Sequence, residues 1–308
     1  MAKRTYLQLT NTVLKRIGKA EISDVATATG NVLITTEMIN EAQNYLWTEE
    51  KWYSLYATRT WKTVTYTAST IAFNDANPDT ITDTANGFGD FQSGQQIRIS
   101  GSDSNDKVVL VETATAGTLI LQAADSLTAE VLGESVTLTA MSYPVPSDWG
   151  ATIDLVNVTN NQVLTEDYIR TFDEADADAN RTGQPTHFSL EGAFYKLFPI
   201  PSSADTIRER YWRIPTTLSA NSDVYILPIE TENCIIQFTL LLINEFLKNF
   251  DASDRARISL GVFLKRALAR NRKMIDQMHI LSANSSYRYG QHGICPPSFP
   301  GSYGRPRF

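Results

Sequence analysis

Helical periodicity is confined to the two ends of this chain, and that confinement sets its fold class. Between residues 68 and 140 no window of twelve residues keeps a helical period. Short apolar or alternating runs stand there instead (TIAF, QIRIS, KVVLVE, TLILQ, SVTLTA), separated by turns rich in Gly, Asn and Asp. Short strands at such regular spacing predict a small β-barrel or sandwich. The Ser- and Thr-rich borders at 68–70 and 137–142 mark it as an insertion into another unit.

On the N-terminal side, Tyr6, Leu9, Val13 and Ile17 recur at helical spacing and stop at Gly18, a natural helix end. A second pattern over 32–52 runs through Met38, Ile39, Ala42, Tyr45, Leu46 and Trp52. From Tyr53 the aromatic and β-branched texture of YSLYATRTWKTVTYTAS suits strands. Beyond the insertion, Leu164, Tyr168, Ile169 and Phe172 predict a helix running into an acidic segment. HFSLEGAFYKLFPIP and TIRERYWRIP read as two strands joined by the tight turn PIPSSAD. Two long helices follow, over 229–249 and 252–281, the second capped by Asp251 or Ser253 and packing through Ile258, Val262, Phe263, Ala267, Leu268, Ile275 and Met278.

The expectation is an α+β fold. Residues 1–67 and 141–281 form a discontinuous core, with a helical bundle drawn from both ends of the chain and a central β-sheet region. Residues 68–140 form the inserted β domain, and 282–308 an extended C-terminal arm.

Charge divides the chain. Residues 251–308 hold ten Lys or Arg and three Asp or Glu, whereas the first 250 carry a net −14, so the overall −7 hides a basic end on an acidic body. Such an average argues against a general nucleic-acid binder, and the basic end suits a negatively charged partner. The run CIIQFTLLLINEFLKNF (234–250) is interrupted by Gln237, Asn244, Glu245 and Lys248, short of the ~18 apolar residues of a membrane span. MAKRTYLQLT has no apolar run of the signal-peptide kind. Neither a membrane anchor nor a disulfide framework is expected, since Cys234 and Cys295 are the only cysteines.

Catalytic readings find little support. His187, His279 and His292 stand in no metal-ligand spacing, so neither a metal nor a cofactor is expected. His292 lies three residues from Cys295, but a surface thiol explains that pair better than a nucleophile does. Asp173, Asp176 and Asp178 lack the turn glycine of a calcium loop and read as a solvated helix end. No pair of carboxylates singles itself out for hydrolysis, and no catalytic residue is assigned.

Docking readings fare better. Arg257, Lys265, Arg266, Arg270, Arg272 and Lys273 crowd positive charge onto the last helix, either as a solvated face complementing the helix dipole or as a docking surface. The tail NSSYRYGQHGICPPSFPGSYGRPRF (284–308) continues that charge, with four Gly, four Pro, five aromatics, three Arg and no acid. Disordered segments are usually poor in aromatics, whereas aromatics and Arg are enriched at interface hot spots. The tail therefore reads as an arm that orders on a partner, through Tyr287, Arg288, Tyr289, Phe299, Tyr303, Arg305, Arg307 and Phe308.

Several cadences resemble one known family. YLQLTNTVLKRIGKAEI…EMINEAQNYLWTEEKWYSLYATRTW (6–61), YPVPSDW (143–149), RTGQPTHFSLEGAFYKLFPIPSSADTIRERYWRIP (181–215) and ILPIETENCIIQFTLLLINEFL (226–247) are similar to the head-to-tail adaptors of short-tailed phages, the tail tubular A-like or neck proteins. The resemblance implies a structural virion protein that is not an enzyme, assembled in the host cytoplasm into a ring of twelve at the head–tail junction. It implies the portal protein as partner on one side and a tail nozzle or fibre protein on the other. Double-stranded DNA would pass through the ring without specific binding. It also places the 257–273 helix and the 284–308 arm against the portal, while the β insertion departs from the shortest members. Two other classes stand beside it. One is a glycan- or receptor-binding tail component acting through the insertion, whose only aromatics are Phe73, Phe88 and Phe91. The other is a tail-associated cell-wall hydrolase.

Overall fold

The structure, a computed structural model, describes residues 2–178 and 180–286, with side chains as far as residue 277. It opens with helix α1 (Tyr6–Arg16), started by a reciprocal cap: the Gln8 amide donates to the Thr5 hydroxyl at 3.3 Å and the Thr5 amide to the Gln8 side chain at 3.0 Å. Tyr6, Leu9, Val13 and Leu14 are buried, and Gly18, at φ 71°, follows the helix end. Helix α2 (Asn31–Glu49) packs on α1 and, through Tyr45 stacked 4.4 Å from Phe238, on the C-terminal helices.

Nine strands come next: β1 (Tyr56–Lys62), β2 (Thr65–Ala68), β3 (Ile71–Asn74), β4 (Thr80–Asp83), β5 (Gln96–Ser100), β6 (Val108–Ala114), β7 (Thr118–Leu121), β8 (Val136–Ala140) and β9 (Ser142–Pro144). Strands β2 to β8 make one antiparallel sheet in the order β2-β8-β5-β6-β7-β4-β3. Its edge strands β2 and β3 are joined by only two residues, Ser69 and Thr70, so the sheet curls until its edges meet. Ile71, Phe73, Ile81, Phe88, Ile97, Val111, Leu119 and Leu138 fill the space inside.

The chain continues through β10 (Trp149–Asn157), β11 (Gln162–Val163), β12 (Thr165–Glu166), a short helix α3 (Ile169–Ala175), β13 (Thr182–Gly183), β14 (His187–Glu191), β15 (Phe194–Phe198), β16 (Ile200–Pro201) and β17 (Thr206–Arg213). Two four-stranded sheets result, β1-β17-β10-β11 and β12-β14-β15-β9, besides the pair β13-β16. Tyr143, Leu155, Tyr195, Leu197 and Ile207 from these sheets join the apolar cluster of the curled sheet. A second, separate cluster holds the bundle of α1, α2, α4 (Glu232–Phe246) and α5 (Phe250–Ser286). With 37 residues, α5 spans about 55 Å. Asn271 ties it to the segment between α2 and β1, accepting the Tyr53 amide and donating to the Lys51 carbonyl, both at 2.9 Å.

The α+β architecture follows the expectation, with differences at particular elements. HFSLEGAFYKLF is a hairpin rather than one strand, because Gly192 adopts φ 59° and turns β14 back into β15. The predicted helix around Leu164 shrinks to α3: the Leu164 amide donates to the Leu155 carbonyl at 2.9 Å, which holds that segment in the sheet layer. Asn249, whose side chain accepts the Ala252 amide at 3.4 Å, precedes α5, so Asp251 and Ser253 lie inside the helix instead of capping it. The far end of α5 takes in 282–286, placed above in the extended arm.

The curled sheet has one polar anchor at its turn. The Asp83 carboxylate is buried and accepts from Thr70 Oγ1 (2.5 Å), Gly87 N (2.6 Å), Tyr66 Oη (2.9 Å) and Ala85 N (3.1 Å). Burial pushes its pKa up, but these four donors outweigh burial and hold it below the ordinary carboxylate range. A group depressed in the folded state stabilises above its unfolded pKa and loses that contribution as pH falls through the folded one. Asp83→Ala is therefore expected to cost about 1–3 kcal/mol at neutral pH, the usual penalty for stranded buried donors. In urea melts the deficit should shrink in acid; a deficit constant with pH would count against the anchor.

Candidate docking surfaces

Ionisable groups inside the strand layers are taken up by the fold. Buried Asp79 accepts the Ala76 and Leu127 amides, and buried Asp205 accepts from Asn157, Asn160 and Ser203. Glu209, fully buried, pairs with Arg59. Burial pushes the Cys234 thiol up to about 12, which leaves it protonated and inert. Among the described residues no cluster of His, Cys, Asp and Glu has metal-binding geometry, and no helix is long and apolar enough to cross a membrane. Phe73, Phe88 and Phe91, the insertion's aromatics, are all buried in its core, away from any ligand that would stack on them.

The last helix, α5, carries both buried and exposed apolar residues. Its packed face runs through Ser253, Ala256, Leu260, Ala267 and Asn271, with Phe263, Leu264 and Leu268 beside it. Small residues there let α5 approach α4. Ile258 and Val262, assigned above to the packed face, are 71% and 48% exposed. The reason is angular: at about 100° per residue, Ile258 and Val262 fall opposite the stripe of Ala256, Leu260 and Ala267. Met278, also assigned there, lies outside the described side chains.

The six basic candidates of α5 fall into two groups. Arg257 pairs with Glu245 (3.0 Å) and Asp254 (3.7 Å), Arg270 with Glu230 (2.5 Å), and Arg272 with Glu50 (3.9 Å). Those three are neutralised within the chain, and Arg270 and Arg272 stitch α5 to the segments before α4 and β1. Lys265, Arg266 and Lys273 are exposed and meet no acidic partner among the described residues. They share the outward side of α5 with Ile258 and Val262, so that side offers apolar contact flanked by free positive charge. Tyr287, Arg288, Tyr289, Phe299, Tyr303, Arg305, Arg307 and Phe308 lie outside the described residues.

A second surface has no counterpart in the sequence reading. At the corner between α4 and α5, Phe246, Leu247 and Phe250 are 53%, 44% and 66% exposed. A hint existed in NEFLKNFD, where large apolar residues persist across a helix break. Beside the corner, α1, α4 and α5 enclose an open groove of about 460 Å³, bordered by Arg16 and Arg255. On the strand side, Tyr168 stands 83% exposed just before α3, and Glu166, two residues earlier, and Asp173, within α3, are also exposed.

A family model described as SU10 adaptor protein matches residues 112–285, more than half of the chain. No curated protein sequence matches it. The match begins within β6, so it takes in the last strands of the curled sheet, and it runs through α5. It does not cover the 6–61 cadence, and it supports a phage adaptor-type protein rather than the tail tubular A-like family in particular.

Proposed function

The chain belongs to the SU10 adaptor protein family, and on that premise we propose that it is a head-to-tail adaptor of a phage particle, a structural protein and not an enzyme. Copies form a ring, twelve in number as the resemblance implies, between the portal protein and the tail nozzle or fibre proteins. The family match carries the role. The outward side of α5, where Lys265, Arg266 and Lys273 stand beside Ile258 and Val262, supports the choice of that helix and the arm beyond it as the portal-facing element.

In this reading residues 68–140 are an inserted domain that decorates the ring or meets a tail component. The bundle and strand layers of 1–67 and 141–286 form the ring body, and 287–308 form the arm. A body of net −14 over the first 250 residues suits a channel wall that repels DNA phosphates and lets the genome slide.

Mixing the full chain with the portal protein and viewing the product in negative stain tests the proposal. Rings with twelve-fold symmetry are the expected result. A chain that stays monomeric beside assembled portal would overturn it.

A further inference from the structure

The corner between α4 and α5 and the surface around α3 each leave large apolar side chains and unneutralised charge in solvent, and the charges are opposite. At the corner, Phe246, Leu247 and Phe250 are exposed; Leu247 also lines the adjoining groove with Arg16 and Arg255, and neither arginine has an ion-pair partner among the described residues. Around α3, Tyr168 and Glu166 line an open groove of about 600 Å³ that runs to Leu190, and Asp173 stands exposed on the same helix at the edge of a neighbouring cavity. Glu174 in the same groove is already paired with Arg170 at 2.7 Å, whereas Glu166 and Asp173 are not paired among the described residues. The two surfaces belong to different layers, since α3 packs on β14 and the corner closes one end of the bundle.

We propose that the corner of one copy docks on the α3 surface of the next copy. Tyr168 and the corner's phenylalanines supply the apolar contact, and Arg16 and Arg255 face Glu166 and Asp173. A contact between two different patches of one chain is heterologous, and repeated by rotation it closes a ring. An exposed tyrosine set in a groove is the residue type that dominates such interfaces, and the opposed charges fix register and partner. A second copy is the occupant because the chain carries both halves of the match. The portal-facing residues Lys265 to Lys273 lie about 15–27 Å further along α5 than Arg255, so both contacts can be filled together. The inference rests on the ring reading above and names the surfaces that would build that ring.

Charge reversal in two separate chains provides the test. One full-length variant carries Arg16→Glu with Arg255→Glu, the other Glu166→Lys with Asp173→Lys. Thermal melts establish that both fold. Each alone then opposes like charges at every contact, and its self-association, read by sedimentation of the chain alone and with portal, should weaken at least tenfold. Mixed one to one, the two variants present only opposite charges and should assemble again. As a second readout, a photo-crosslinking phenylalanine analogue at position 250 should label 166–178 of an isotope-marked second copy. Rings that form normally from either variant, or cross-links that fall elsewhere, overturn the interface and leave the ring reading standing. An unaltered chain that never associates, alone or with portal, overturns both.

Discussion

Glu209→Ala is expected to destabilise the protein by about 3–5 kcal/mol, the cost of leaving a buried ion pair with one partner. Glu209 has no solvent exposure and lies directly opposite Arg59 across β1 and β17. Its carboxylate accepts from Arg59 Nε at 2.8 Å and from Tyr195 Oη at 2.7 Å. Arg59 also donates to the Pro144 carbonyl at 2.7 Å, and the Tyr195 hydroxyl meets Thr152 Oγ1 at 2.7 Å. The network thus joins both four-stranded sheets: β1, β10 and β17 on one side, β9 and β15 on the other. Burial, reinforced by the neighbouring Glu209 carboxylate, pushes the Tyr195 phenol up, so it remains a donor throughout the ordinary pH range.

With the carboxylate gone, the guanidinium keeps its charge in a site 30% exposed and retains only the Pro144 carbonyl among these acceptors. The double variant Arg59→Met with Glu209→Leu should regain most of the loss, because apolar replacements of similar volume often match a buried pair. Urea unfolding midpoints at constant slope read both values. A loss under about 1 kcal/mol for Glu209→Ala, the range of an exposed pair, would show that the sheets hold together without it.

How far the fold was legible depends on the range of the interaction responsible. Local pattern sufficed for α1 and for QIRIS, TLILQ and SVTLTA, since apolar spacing fixes which side of an element is buried whatever lies opposite. It failed at α5, where Ile258 and Val262 are apolar yet exposed. There the tight approach to α4 selects Ser253, Ala256 and Ala267, residues whose value is their small size. Gly192 leaves no trace in the pattern, because a single residue with positive φ reverses a chain without changing its apolar texture. The docking candidates show the same division. That α5 is basic is plain from composition, but which cations are free depends on Glu50, Glu230 and Glu245. The first of these lies more than 200 positions from its partner Arg272.

Ending the chain at Ser286 is expected to leave the fold intact and abolish stable binding to portal. Stability should be unaffected because, among the described residues, the buried apolar core ends at Ala267 and the last buried polar anchor is Asn271. Residues 287–308 hold five aromatics and three arginines without an acid. If two of those side chains act as anchors worth about 2 kcal/mol each, their removal adds up to about 4 kcal/mol, on the order of a thousandfold in Kd. Arg305→Glu with Arg307→Glu should weaken binding less than the truncation, and that deficit should shrink as salt is added, since salt screens both the lost attraction and the new repulsion. The α5 cations give the complementary case. Lys265→Ala, Arg266→Ala and Lys273→Ala together should slow association more than they speed release, as charges on an exposed rim steer encounter. Binding kinetics on immobilised portal separate the two effects. A chain ending at Ser286 that binds with parental affinity would remove the arm from the docking surface and leave α5 alone to carry it.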